Sequence, residues 1–152
     1  MPVILPPIRE KTVKLHLPLD QDPDQEAYIK VRHATTAEQE QVADLMASEN
    51  LLLNQDGSPS GVEGRVSMMA LRRLQSYLTL SDCNFVDPDP DHPQDRSKDT
   101  PVFTFRNIGG KMRYDGNEEK FKAAWGTLPE DWSAAVVEGV LEVNPQWLPR
   151  PE

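Results

Sequence analysis

The chain has 152 residues, 25 of them acidic and 16 basic, for a formal net charge of −9 at pH 7. That length suits one compact domain burying roughly 70% of its unfolded surface, and the charge excludes phosphate-backbone binding, which requires Lys and Arg clusters that release counterions. A single cysteine, Cys83, excludes an internal disulfide and a cysteine-rich zinc site.

The N-terminal MPVILPPIREK reads as an extended arm, because Pro2, Pro6 and Pro7 disfavour helix and remove backbone donors. Its apolar run is short and broken, with no basic region before it, so neither a leader nor a membrane span is expected and the simplest location is cytosolic. VKLHLPL (13–19) alternates with Val13, Leu15, Leu17 and Leu19 on one face. AYIKVRHA (27–34) sets Tyr28, Lys30 and Arg32 opposite Ile29, Val31 and His33. With the polar DQDPDQE between them, the two predict a β-hairpin in which Pro18 confines the first strand to an edge or an end.

Thr35 and Thr36 precede Glu38 and Gln39 at capping-box spacing, and Val42, Leu45, Met46, Leu52 and Leu53 follow at helical spacing. A helix over about 36–53 is expected, ended by QDGSPSG. VEGRVSMMALRRLQSYLTLSDC then predicts a second helix, with Val62, Val66, Met69, Leu74 and Leu78 on its stripe and an end near Leu80 to Asn84. VFTFRNIGGKMRY carries two short strand-like pieces around Gly109 and Gly110, a small hairpin. EEKFKAAWG forms a short helix ended by Gly126. TLPEDWSAAVVEGVLEVNP forms another, with Thr127 and Glu130 as a second capping box, Pro129 in the first turn and Trp132, Val136, Val140 and Val143 on one face. The fold class is mainly α with a small β component: an arm and first strand over 1–25, then one helical domain over 26–152 with an exposed acidic, proline-rich loop at 86–100.

That loop, with Asp87, Asp89 and Asp91 separated by Pro88 and Pro90, invites comparison with a calcium loop. Acids stand at the first, third and fifth positions, but His92 occupies the sixth, where glycine makes the sharp turn, and Lys98 the twelfth, where a bidentate glutamate is needed. A stiff, hydrated spacer between two helical halves is the better reading. His16, His33 and His92 are too scattered for a metal pair. No G-x-S-x-G occurs, and Asp82 beside Cys83 would raise rather than lower its pKa. NIGGK fails as a phosphate loop, with no glycine at the first position of the motif and Met112 in place of Ser or Thr. No base, nucleophile and oxyanion donor converge, which sets aside a small hydrolase. No catalytic residue, cofactor or metal is expected.

Trp125 and Trp132 read as core aromatics. Trp147, past the helix stop at Asn144-Pro145, either folds back or meets a partner. The apolar PVILPPI arm presents the same choice, and exposed apolar arms point to assembly.

LQSYLTLSDCNFVD, the acidic insert with PVFTF after it, and WGTLPEDWSAAVVEGVLEVNPQWLP together resemble the tail assembly chaperones of long-tailed bacteriophages and prophages. The features that carry the likeness are Thr35 to Glu38, Leu78 to Asn84, Leu128 to Val143 and Asn144 to Trp147, and it covers most of the chain from about residue 26. The resemblance implies a non-enzymatic protein of the host cytoplasm that binds the tape measure protein and recruits tail tube subunits; many such proteins are made in a short and a frameshift-extended form, of which this chain would match the short one. The apolar arm and the long acidic insert depart from the pattern. Leu78, Phe85, Trp132 and Trp147 are the candidate protein-binding residues, and self-association stays open. A structural tail or baseplate subunit retained in the virion is the alternative.

Overall fold

The computed structural model describes residues 2–17, 26–48 and 61–148, with side chains from Met68 onward in the last stretch. The N-terminal alternation produces two antiparallel strands, β1 (Glu10–Leu15) and β2 (Ala27–Arg32), in register from Glu10↔Arg32 to Leu15↔Ala27. Val13, Leu15, Ala27, Ile29 and Val31 are buried, so one face of the pair is core. β1 begins before the apolar alternation and ends at Leu15; Leu17 is half-buried, and Leu19 lies outside the described residues. β2 departs from the simple two-face alternation at its end: His33, set on the face of Ile29 and Val31, is exposed, and Arg32 on the opposite face is 1% exposed, its guanidinium hydrogen-bonded inside.

Helix α1 (Thr36–Ser48) opens on the expected capping box: Glu38 N donates to Thr35 Oγ1 at 3.3 Å, and Thr35 N donates to Glu38 Oε1 at 3.0 Å. The far end of the expected helix, with Leu52 and Leu53, lies outside the described residues. Helix α2 (Gly61–Thr79) buries Leu71, Leu74 and Leu78 against Val42 of α1. Met69, expected on that stripe, is 70% exposed; two residues before Leu71, it points about 200° away around the helix. The side chains of Val62 and Val66 are not among those described.

The expected helix end is also corrected. Leu80–Cys83 is a strand, β3, antiparallel to β2 through Val31↔Leu80, Lys30↔Asp82 and Ile29↔Cys83, giving sheet order β1-β2-β3. Ser76 and Thr79 turn their hydroxyls back to the carbonyls of Arg72 and Gln75 at 2.9 and 2.8 Å in the last helical turns. Ser81 is the extra residue of a bulge, its hydroxyl donating within reach of both Lys30 O and Glu10 Oε2. Burial drives the switch: as a strand, Leu80 and Cys83 both reach the core beside Ile29 and Val31.

β4 (Val86–Asp87) pairs with β5 (Thr100–Pro101), so the acidic segment leaves and returns at one place. Between them Asp89 bridges His92, with Pro90 and Pro93 at turns and a 3-10 turn over Arg96–Lys98. The segment is exposed, as expected, but it is a closed excursion rather than a stiff spacer between two halves. β6 (Phe105–Ile108) and β7 (Lys111–Tyr114) form the expected hairpin. Gly109 and Gly110 both take positive φ, 62° and 87°, the backbone of a type I′ turn.

Asn117 caps α3 (Glu118–Trp125), accepting from Lys120 N at 2.8 Å. Phe121 is fully buried among the rings of Tyr77, Phe103, Tyr114 and Trp125, with centroids 5.1 to 5.6 Å away. α4 (Glu130–Val143) starts without the anticipated second capping box. Pro129 is its N-cap, with no side-chain cap, and Thr127 Oγ1 donates to Ala124 O at 2.7 Å instead. Val136, Val140 and Val143 press α4 onto the sheet, and Gly139 lets it come close: a Cβ there would stand 2.8 Å from Ile29 Cδ1 and 3.4 Å from Val13 Cγ1. Four helices and three small antiparallel sheets in the described residues make a mixed α+β fold.

Candidate functional site

Among the described residues no three of His, Cys, Asp and Glu come together in a way that could hold a metal ion. Asp89 keeps its Oδ1 for the Asp91 N–H at 2.9 Å, and its Oδ2 lies 3.7 Å from His92 Nδ1. Asp95 accepts from the Ser97 N–H and hydroxyl at 3.1 and 2.6 Å. The acids therefore serve their own turns. Burial pushes the Cys83 thiol up to about 12, with the Asp82 charge adding to the rise against a backbone hydrogen bond that opposes it. Such a thiol stays protonated and unreactive.

The most connected polar group lies inside. Arg32 Nη2 and Glu38 Oε2 are 3.2 Å apart with both side chains almost fully buried, Arg32 Nε donates to Met112 O at 2.9 Å, and Nη2 also donates to Leu78 O. One arginine thus ties together β2, α1, α2 and β7. Burial works against ionisation of Glu38, but the Arg32 hydrogen bonds, the Thr35 N–H and the guanidinium charge outweigh it, with Lys111 adding a little. Its carboxyl sits below the usual range. Asn144, fully buried, accepts from Ala34 N at 2.8 Å and donates to Arg32 O at 3.0 Å. Asn84 does the same at the other end of β2, accepting from Tyr28 N at 2.9 Å and donating to Glu26 O at 2.7 Å. Two side-chain amides therefore extend the pairing that the short β3 leaves incomplete. Arg32 and Glu38 were missed as partners in the sequence because their spacing crosses a strand-to-helix corner that no periodic pattern covers.

The four candidate protein-binding residues separate. Leu78 is buried between α1 and α2, and Trp147 folds back, its Nε1 donating to Gln39 Oε1 at 2.7 Å. Phe85 and Trp132 do come together, with ring centroids 5.0 Å apart. Phe85 is buried and Trp132 half-buried, and they form the floor of an open recess of about 340 Å³ whose rim carries Glu26, Val86 and Arg96. An apolar floor with a mixed-charge rim can take an apolar side chain from a partner while satisfying polar groups around it.

The arm is a second exposed apolar feature. Val3, Ile4 and Leu5 are 93%, 88% and 89% exposed. Among the described residues no helix is long and apolar enough to cross a membrane. In comparisons with protein-family models, curated proteins and solved structures, the chain finds no match.

Proposed function

We propose that the chain is a tail assembly chaperone of a long-tailed bacteriophage, a non-enzymatic protein of the host cytoplasm that binds the tape measure protein and recruits tail tube subunits. The observation that carries this reading is that the two sequence runs resembling that family, ending in NFVD and opening with WGTLPEDW, supply the two rings of one exposed recess, Phe85 and Trp132. A recess of this kind suits a long helical partner that presents an apolar stripe, since single side chains of the stripe can dock and leave again. The net charge of −9 supports the same role by keeping such a complex soluble until the tube surrounds the partner.

The experiment is co-expression with the tape measure protein encoded beside it, followed by gel filtration at micromolar concentration. A shared peak that is lost on Trp132→Ala, with the variant still folded, is the expected result. Separate migration of the wild-type proteins would refute the reading. Mass spectrometry of purified particles distinguishes a chaperone, absent from the finished virion, from a structural subunit, which is retained.

A further inference from the structure

β1 lies at an edge of its sheet, and its outer backbone can be assigned. His33 N donates to Arg9 O at 2.9 Å, extending the register that pairs Lys11 with Val31. Antiparallel hydrogen bonding alternates along a strand, so the odd residues of β1 bond to β2. The N–H and C=O groups of Glu10, Thr12 and Lys14 point the other way. On β2 the same alternation turns Tyr28, Lys30 and Arg32 toward β3, where Asn84 N, Asn84 Oδ1, Ser81 Oγ and Asn144 Nδ2 meet them. No comparable group meets the outer edge of β1 among the described residues. Beside that edge a groove of about 400 Å³ runs under α4, between Lys11, Val13 and Leu15 on one side and Ala135, Gly139 and Glu142 on the other.

We infer that this edge is completed by the N-terminal arm of a second copy of the chain, exchanged reciprocally about a two-fold axis at Ile8. The arm has the required chemistry. Residues 2–9 are exposed along their whole length, and Pro2, Pro6 and Pro7 hold them near an extended conformation. With Ile8 opposite Ile8, Ile4 falls opposite Thr12 and Pro6 opposite Glu10, each an outward-facing position on both strands. Pro6 accepts from the Glu10 N–H and leaves the Glu10 carbonyl without a donor, so it costs one bond per arm, while Pro7 faces away from the partner strand and costs none. Val3 then lies beside Val13 and Leu5 beside Lys11, both on the α4 side of the sheet where the groove is.

Charge permits the same arrangement. Arm residues 2–8 bring no charge of their own, and Lys11, beside which Leu5 falls, is already neutralised by Glu142 at 2.8 Å. Area is sufficient as well. Val3 and Leu5 on the groove side and Ile4 on the other face, each withdrawing on the order of 100 Å², with matching surface on the partner and two arms, give about 1,200 Å², the lower bound for specific interfaces. Two-fold exchange uses both edges and leaves none open to further addition.

Sedimentation equilibrium on the full chain tests this. Wild type should approach twice the chain mass of 17.2 kDa at micromolar concentration. The Val3→Asp/Leu5→Asp double variant should stay at the single mass, with unchanged circular dichroism because neither side chain is packed in the isolated chain. Thr12→Pro removes an outward N–H without removing a bond to β2 and should weaken association at least tenfold. Ile8→Cys should form an intermolecular disulfide under mild oxidation while the buried Cys83 does not. Single-mass wild type would overturn the inference; an undiminished dimer in the Val3→Asp/Leu5→Asp variant would overturn it too.

Discussion

Glu38 carries two duties with one carboxylate. It closes the capping box of α1 and neutralises a guanidinium that is almost wholly inside the protein. Removing one partner of a buried pair strands the other, at about 3–5 kcal/mol, so Glu38→Ala should lower unfolding free energy by that amount in urea titrations. Replacing both residues, Arg32→Met with Glu38→Leu, should recover much of it, because the desolvation of two charges disappears with them. The pH dependence follows from the depressed folded-state pKa of Glu38. Its contribution is present above the ordinary glutamate pKa and is lost as pH falls through the lower, folded value, so wild type should show a steeper acid limb in stability against pH than Glu38→Gln does. The capping half of this arrangement was legible in T-T-A-E. The buried half was not, since Arg32 looked like any alternating strand residue until a neighbour 46 positions away, Leu78, supplied its carbonyl.

At the scale of elements, α4 sits where it does because Gly139 has no side chain. Gly139→Ala places a methyl 2.8 Å from Ile29 Cδ1, a strain that offsets the roughly 1 kcal/mol gained in helix propensity. The substitution should be close to neutral alone and should become stabilising on an Ile29→Val background, where that atom is gone. A double-mutant cycle by thermal or urea denaturation reads the coupling. Gly139→Leu should cost about 1–3 kcal/mol by overpacking. Helices α3 and α4 and the Gly-Gly hairpin were readable because each is specified within its own stretch, by a cap, a period or a turn residue. β3 was not, because LTLSDC satisfies a helix and a strand equally well in isolation, and only the half-completed edge of β2 decides between them. The Thr127 and Glu130 box failed for a related reason: Pro129 already ends the preceding turn and sets the entry angle, leaving the threonine hydroxyl free for Ala124.

For the molecule as a whole, the distribution of charge matters more than any single acid. The loop carrying Asp87, Asp89 and Asp91 is closed at its base by β4 and β5 and makes its hydrogen bonds internally. Converting all three to Asn removes three negative charges from −9, leaving −6, and should change stability by less than about 0.5 kcal/mol per site. Thermal melts that shift by more would mean the loop is an anchor for the core. On the proposed chaperone role, tail assembly should likewise proceed with the triple variant. The Asp-Pro alternation drew attention in the sequence because it resembles a ligand set, whereas the features with consequences, the β1 edge and the Phe85–Trp132 floor, are made by residues that look ordinary until the chain has folded.

Asn144 joins positions far apart in the chain: Ala34 and Arg32 precede it by 110 and 112 residues. During synthesis the β1–β2 pair therefore emerges long before the residue that completes β2's edge, and before α4, which covers its apolar face. Until then Val13, Ile29 and Val31 have neither a roof nor a settled neighbour, and loop closure over such separations makes the last step slow relative to local pairing. Completion of the β2 edge by Asn144 and covering of the sheet by α4 are therefore long-range steps, which topology makes slower than the local β1–β2 pairing.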